Sequence, residues 1–271
     1  MQKRADFSFA DDLPFRVLYP RQAERYYDHT LYHVDGPLAA FAQLSWTLRW
    51  NLPPGVSFEA QVVPSAYTNL TCMPEGARVT GVTTGLYTYE VTGSGVIIGV
   101  MFRPGAIGAF VDAPRDLVDG RRPAAEVFPA VDDEFNTRVI SAGDQKALDL
   151  MHGMLRGALP EPDPKIALIG SIIERSRSGE RPTVGAIAKD FAMSTRKLQG
   201  LFERYVGVGL KWVMLRDRLQ HATLVADTVE DPNWTQTALD LGYVDHSHFI
   251  NDFKRIVGMT PGQYAAGREK S

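Results

Sequence analysis

Only one of the 271 residues is cysteine, Cys72, which excludes a small disulfide-stapled scaffold because the thiol has no partner in the chain. Long apolar runs are also missing. No stretch of about 18 apolar residues occurs, and residues 1–16 (MQKRADFSFADDLPFR) carry charge where a signal peptide has its apolar segment. A soluble, cytoplasmic protein is expected. No phosphate-cradling glycine loop is found, and Gly93-Ser94-Gly95 reads as a hairpin turn. Histidine is scarce in residues 1–159, with His29, His33 and His152 alone. His29 and His33 stand four apart, a spacing that suits one face of a helix rather than a strand, and no third ligand is evident. They read as ordinary surface or core histidines, so no metal, cofactor or catalytic set is expected. Cys72, in a strand-like run, reads as a small buried apolar residue rather than a redox sensor. A strong excess of one charge is lacking too. The net charge of −3, taken whole, argues weakly against a nucleic-acid partner.

What is present is ample core material, 44% hydrophobic against 23% charged, which excludes disorder as the dominant state. The length suggests two domains. Pro160-Glu161-Pro162-Asp163-Pro164 cannot be helix interior and reads as an extended connector, giving residues 1–159, a linker 160–164, and residues 165–271. Residues 1–164 hold 14 Lys plus Arg against 20 Asp plus Glu, a net of −6; residues 165–271 hold 15 against 12, a net of +3. Only the second part has the sign that suits phosphate.

The two parts differ in pattern. Leu44–Trp50, Phe58–Val63, Thr68–Met73, Leu86–Val91 and Val96–Phe102 are short β-branched and aromatic runs separated by Pro and Gly turns. They predict an antiparallel barrel or sandwich. A helix is expected from Asp144 to about Ala158, with Leu148, Met151 and Leu155 on one face, either packed on the β domain or used in a dimer.

From Lys165 onward the pattern is helical and contains a repeat. Leu201-Phe202-Glu203-Arg204-Tyr205-Val206-Gly207 aligns with Asp252-Phe253-Lys254-Arg255-Ile256-Val257-Gly258 at an offset of 51 residues, and the same offset pairs Ser194 with Asp245 and Leu198 with Phe249. Ser and Asp are good N-caps. Each unit is a short helix with an inward small residue, Ala188 or Ala238, a tight turn, a capped second helix, and a glycine. That is the outline of a helix-turn-helix, present twice.

In the first unit the outer face near the N-terminus is Thr195, Arg196, Gln199 and Gly200; Arg196 can read guanine and Gln199 adenine. In the second it is His246, Ser247, Ile250 and Asn251, of which Asn251 can read adenine and Ile250 meets only a thymine methyl or a sugar. Lys197, Arg204, Lys254 and Arg255 suit phosphates, which fix register without carrying sequence information. His246-Ser247-His248 has the residue types of a nucleophile and its base, but lies inside the expected DNA-facing helix.

These residues resemble the AraC-type (AraC/XylS) transcriptional regulators over about residues 165–266. The resemblance rests on Ala188 to Gly207 and on the string Ala238-x-x-x-Gly242-Tyr243-x-Asp245-x-Ser247-His248-Phe249-Ile250-x-x-Phe253-Lys254-Arg255-x-x-Gly258-x-Thr260-Pro261-x-x-Tyr264. It implies a seven-helix domain whose two recognition helices enter successive major grooves of double-stranded DNA, about 34 Å apart. His248 joins the DNA-contact set as part of this signature. The helix between the units, about Gly209 to Ala226 with Trp212, Leu215, Leu219 and Ala222 inward, is the expected spacer. Two departures are Leu210, where the family often has proline, and Gly200, which reads no base by itself. Gly99-Val100-x-Phe102-Arg103-Pro104-Gly105 resembles the first half of a subset of the same family. There the resemblance implies a cupin-like β-barrel that senses an effector, with following helices that dimerise. Any pocket is expected to be lined by Trp46, Trp50, Tyr67, Tyr87, Tyr89 and Arg103, the arginine suited to a carboxylate or phosphate.

The expected class is thus α+β: an antiparallel β-barrel or sandwich with following helices, then an all-α part with two helix-turn-helix units. The expected function is a non-enzymatic, sequence-specific DNA-binding regulator responsive to a small effector, with a homodimer and RNA polymerase as further partners and no membrane association. The alternatives are a constitutive regulator whose first domain only dimerises or binds protein, and an enzyme domain joined to a DNA-binding module.

Overall fold

Among the described residues, glycine and proline turns divide the first part of the chain into eight short strands. The computed structural model describes residues 17–178 and 182–267, so the charged N-terminal stretch discussed above lies outside the described residues. After a single helical turn, α1 (Pro20–Ala23), come β1 (Tyr27–Tyr32), β2 (Ala42–Asn51), β3 (Ser57–Val62), β4 (Asn69–Cys72), β5 (Arg78–Thr80), β6 (Tyr87–Thr92), β7 (Ser94–Phe102) and β8 (Arg121–Pro123). Six of them form one antiparallel sheet in the order β1-β2-β7-β4-β5-β8, and β3 pairs with β6 to cover it. The five expected strands are present within a residue or two at each end; β1, β5 and β8 are additional. His29 lies on β1 rather than on a helix, which corrects the helical reading of the His29/His33 spacing.

β7 is buried on both faces, which explains its unbroken run Val96 to Phe102. Its two glycines make room for indole rings on β2. Trp46 stands opposite Gly99 and Trp50 opposite Gly95, and a Cβ at either glycine would come within 2.2 Å of the ring. Behind the sheet lie α2 (Asp133–Ile140) and α3 (Asp144–Gly157). Leu148, Met151 and Leu155 of α3 are fully buried against β7 and its neighbours. This face is therefore interior core, and the expectation that the same stripe serves a dimer is corrected: its apolar surface is already used. Asp144 at the start of α3 binds Arg49 (Nε to Oδ1, 2.6 Å) and accepts from Tyr32 and Thr47, which pins the helix to the sheet.

Seven helices follow: α4 (Pro164–Ser176), α5 (Val184–Asp190), α6 (Thr195–Tyr205), α7 (Leu210–Thr228), α8 (Trp234–Asp240), α9 (His246–Val257) and α10 (Pro261–Gly267). Asp163 caps α4 and Pro164 is its first residue, a position where the missing N–H is harmless. No helix among the described residues is long and apolar enough to cross a membrane. The long helix α7 is buried along several faces. Val213, Met214 and Arg216 are interior, while Trp212 and Leu215, expected inward, are only half-buried. Leu210, the departure from proline, is fully buried at the first turn of α7, where its side chain fills the core of the first helix-turn-helix unit.

The helices and the β part share cores. Leu18 and Val63 belong to the cluster beneath α8, α9 and α10, whereas Ala66 and Val82 belong to the cluster beneath α4, α5 and α6. Tyr19 stacks on Tyr264, with ring centres 4.6 Å apart. Gly105, with φ +85°, brings the Arg103-Pro104-Gly105 turn against Ile169 and Tyr205, which is the physical reason this motif needs glycine: a Cβ would meet Ile169 at 2.8 Å.

Candidate nucleic-acid interface

The two repeated units are built on the same turn. Ala192 (φ 51°) and Gly242 (φ 77°) both take the left-handed conformation, at an offset of 50 residues. The residues after them close equivalent bonds: Met193 N–H donates to Ala188 O at 2.8 Å, and Tyr243 N–H to Ala238 O at 2.9 Å. Ala188 and Ala238, both buried, allow the following helix to cross closely. The extra residue of the second turn therefore follows the left-handed position. It is Val244, whose side chain is fully exposed.

Each second helix then starts on its cap. The Ser194 side chain accepts from Lys197 N–H (3.2 Å), and that of Asp245 from Ser247 N–H (2.9 Å). Leu198 and Phe202 in α6, and Phe249 and Phe253 in α9, are fully buried. Gly207 (φ +88°) and Gly258 (φ +84°) end the two helices in the left-handed conformation.

The outward faces differ in charge. On α6, Thr195, Arg196, Lys197, Gln199, Gly200 and Arg204 are all exposed. Arg196 and Lys197 make no ion pair among the described residues, so their charge is available to a phosphate or a base edge; Arg204 lies 5.9 Å from the centre of the Tyr205 ring. On α9, Ser247, His248, Asn251, Lys254 and Arg255 are exposed. Asp252 neutralises part of this face: Arg255 Nη2 donates to it at 2.7 Å, Tyr243 O–H donates to it at 3.2 Å, and His248 Nε2 is 3.4 Å away. Burial, reinforced by the negative charge of Asp252, raises the Tyr243 hydroxyl pKa, so Tyr243 stays a neutral donor. His246 and Ile250 sit toward the core edge of α9. The His246 ring centre is 6.3 Å from that of Phe249 with Nε2 buried, and Ile250 packs beside the second cluster, so both flank the exposed face instead of centring it.

A helical repeat that buries one face, caps the other at its N-terminus and presents arginine, lysine, glutamine and asparagine there is a nucleic-acid reader in outline. Residues 187–267 match the family described as a helix-turn-helix domain. The C-terminal part of this chain is an AraC-type helix-turn-helix domain. Residues 32–122 match a second family, described as a domain of unknown function (DUF6597). No curated protein matches the chain. Among solved structures, the C-terminal domain of the two-component response regulator yesN from Fusobacterium nucleatum is 28% identical, covering 38% of this chain and 99% of its own, with a TM-score of 0.34. An AraC-type transcriptional regulator from Chromobacterium violaceum is 26% identical over 40% of this chain and 94% of its own, at a TM-score of 0.34. ToxT from Vibrio cholerae is 12% identical over 91% of this chain and all of its own, at 0.38. A domain of this kind supports a DNA-binding transcription regulator.

The expected pocket residues do not gather at one place. Trp46, Tyr67, Tyr87 and Tyr89 line a cavity of about 140 Å³ between the six-stranded sheet and the β3–β6 pair. Trp50 is buried in the neighbouring core with its Nε1–H donated to Thr92 O (3.0 Å), and lines a separate surface groove. Arg103 faces away, into a cleft of about 530 Å³ between the β part and α4, donating to Ala39 O (2.7 Å) and Gln43 Oε1 (3.1 Å). In its place the 140 Å³ cavity has Arg78, which donates to the Tyr87 hydroxyl at 3.0 Å. Cys72 is fully buried, and burial pushes its thiol up to about 12, leaving almost no reactive thiolate at neutral pH. No group of His, Cys, Asp or Glu able to hold a metal ion occurs among the described residues.

Proposed function

We propose that the chain is a sequence-specific regulator in which α6 and α9 read successive major grooves of one DNA duplex, while its first part senses a small, largely apolar effector. The observation that carries the DNA reading is the pair of capped helices on equivalent turns, each with its aromatic and aliphatic face buried and its polar face exposed. In this reading Arg196, Gln199 and Asn251 meet base edges. Lys197, Arg204, Lys254 and Arg255 meet phosphates, and Thr195, Gly200, His246, Ser247, His248 and Ile250 complete the surface. In this reading residues 1–159 are the sensing part and α4 to α10 the DNA-binding part; the expected linker 160–164 is shortened by one residue, since Pro164 already begins α4.

The effector reading is supported by the cavity that Trp46, Tyr67, Tyr87 and Tyr89 help to line, with Arg78 as a polar handle. Its size is near the roughly 150 Å³ that holds a benzene-sized guest. Selection of bound sequences from random duplex DNA tests the main reading and yields the operator. On that operator, Arg196→Ala should weaken binding by about 1–3 kcal/mol and relax base choice at one position. Equal loss on every sequence would rule out base reading by Arg196. Thermal shift against small aromatic and aliphatic metabolites tests the sensor, and a panel without a single stabilising compound would favour a constitutive regulator.

A further inference from the structure

We propose that the segment Val63–Ala66, between β3 and β4, is a positioning element that sets the separation and tilt of the two recognition helices; this rests on the two-groove reading above. α7 alone connects the units along the chain. At 19 residues it is about 28 Å long, and its two ends carry different cores. Leu210, Val213 and Met214 pack in the first unit, and Leu219, Ala222 and Ala226 in the second. Between the two sets stands Arg216, only 1% exposed.

The segment from the β part meets this waist. Val63 is fully buried in the second unit's cluster, and Ala66, three residues on, is buried in the first unit's. Between them the Pro64 carbonyl accepts a hydrogen bond from Arg216 Nε at 2.7 Å. The guanidinium continues to Asp217 (Nη1 to Oδ1, 2.8 Å), and Asp217 Oδ2 accepts at 2.7 Å from Nε of Arg177, the residue that caps the C-terminus of α4. Burial works against the Asp217 charge, but Arg216 and Arg177 outweigh it and hold the carboxyl below its usual range. The segment is itself anchored, since Ser65 and Thr83 exchange backbone bonds of 3.1 and 3.2 Å.

One short stretch of backbone thus touches both units and the middle of the helix joining them. A buried arginine bonded to a backbone carbonyl is directional, and a half-satisfied buried guanidinium is strongly disfavoured, so the waist has one favoured arrangement. Two recognition helices that enter grooves one turn apart need such a fixed separation.

The test uses the full chain and the selected operator, with its two halves moved apart or together by one base pair. The unmodified chain should lose about tenfold or more in affinity for either change, the scale of a mismatched contact. In Val63→Ala and in Arg216→Gln, affinity for the best spacing should fall while the preference between spacings shrinks to about threefold or less. Arg216→Lys, which keeps a charged donor at the waist, should restore part of the preference. Leu148→Val, a core change on α3, should lower the unfolding temperature and leave the spacing profile intact. Folded Val63→Ala and Arg216→Gln chains with the unmodified spacing profile would overturn the inference. An unmodified chain that selects no two-part site would overturn the two-groove reading, and this inference with it.

Discussion

Gly200 has open space where a Cβ would stand, with no atom within 4 Å, and its backbone is ordinary helix. Nothing inside the chain requires glycine there. Gly200→Ala should therefore stabilise the protein by about 0.5–1 kcal/mol in denaturant unfolding. If the base pair opposite is unread, operator affinity will hold; a sharp loss of affinity would mean that the backbone itself approaches the DNA. His152 behaves differently because it is buried, 2.6 Å from the Ser45 hydroxyl. Burial, aided by Arg156, pushes its pKa down to about 4. In the unfolded chain the imidazole takes a proton near pH 6.5, so the contribution to stability is full above that pH and drains away as the pH falls toward 4. At pH 5 the loss is about 2 kcal/mol, and His152→Asn should remove that share of the pH dependence in thermal unfolding. An unchanged pH dependence in the variant would show that the folded histidine is protonated.

The turn of the first unit holds Ala192 at a positive φ where the second unit has Gly242. A side chain in that conformation costs about 1–2 kcal/mol, part of which glycine's larger unfolded-state freedom offsets. Ala192→Gly should thus raise stability by up to about 1 kcal/mol, visible as a shift of roughly 2–4 °C in thermal unfolding, without altering the operator. Elements with a clear period were legible: α3, α6 and α9 follow from Leu148/Met151/Leu155, Leu198/Phe202 and Phe249/Phe253, because one-sided burial imposes the helical repeat. β5 and β8 were not, since three residues are too few to show alternation and both owe their conformation to neighbours. β1 was missed for another reason: Asp28 and His29 carry little strand signal, and pairing with Ser45–Trp50 of β2 along the whole length of β1 decides their state. The outward faces of α6 and α9 were legible as what remains after the core is assigned, yet the demotion of His246 and Ile250 to the margin needed the actual packing.

At the scale of the whole molecule, the proposed reading assigns phosphates to four cations, Lys197, Arg204, Lys254 and Arg255, all exposed. Four such contacts give a slope of about −3.6 in log affinity against log salt, so binding should weaken roughly a hundredfold between 50 and 200 mM salt. A salt-independent affinity would contradict DNA recognition by these faces. The sharing of cores between the β part and the helices was invisible in sequence, because Pro64 and Arg216 meet across 152 positions and an arginine on a helix reads as a surface residue. The two units, finally, are related by repetition along one chain, and their exposed faces differ: arginine and glutamine on one, serine and asparagine on the other. Such a reader has a head and a tail. Its operator is expected to be a pair of unlike half-sites without dyad symmetry. Turning that operator around would carry the β part to the opposite flank of the bound site, giving the chain a direction along the genome that a symmetric dimer lacks.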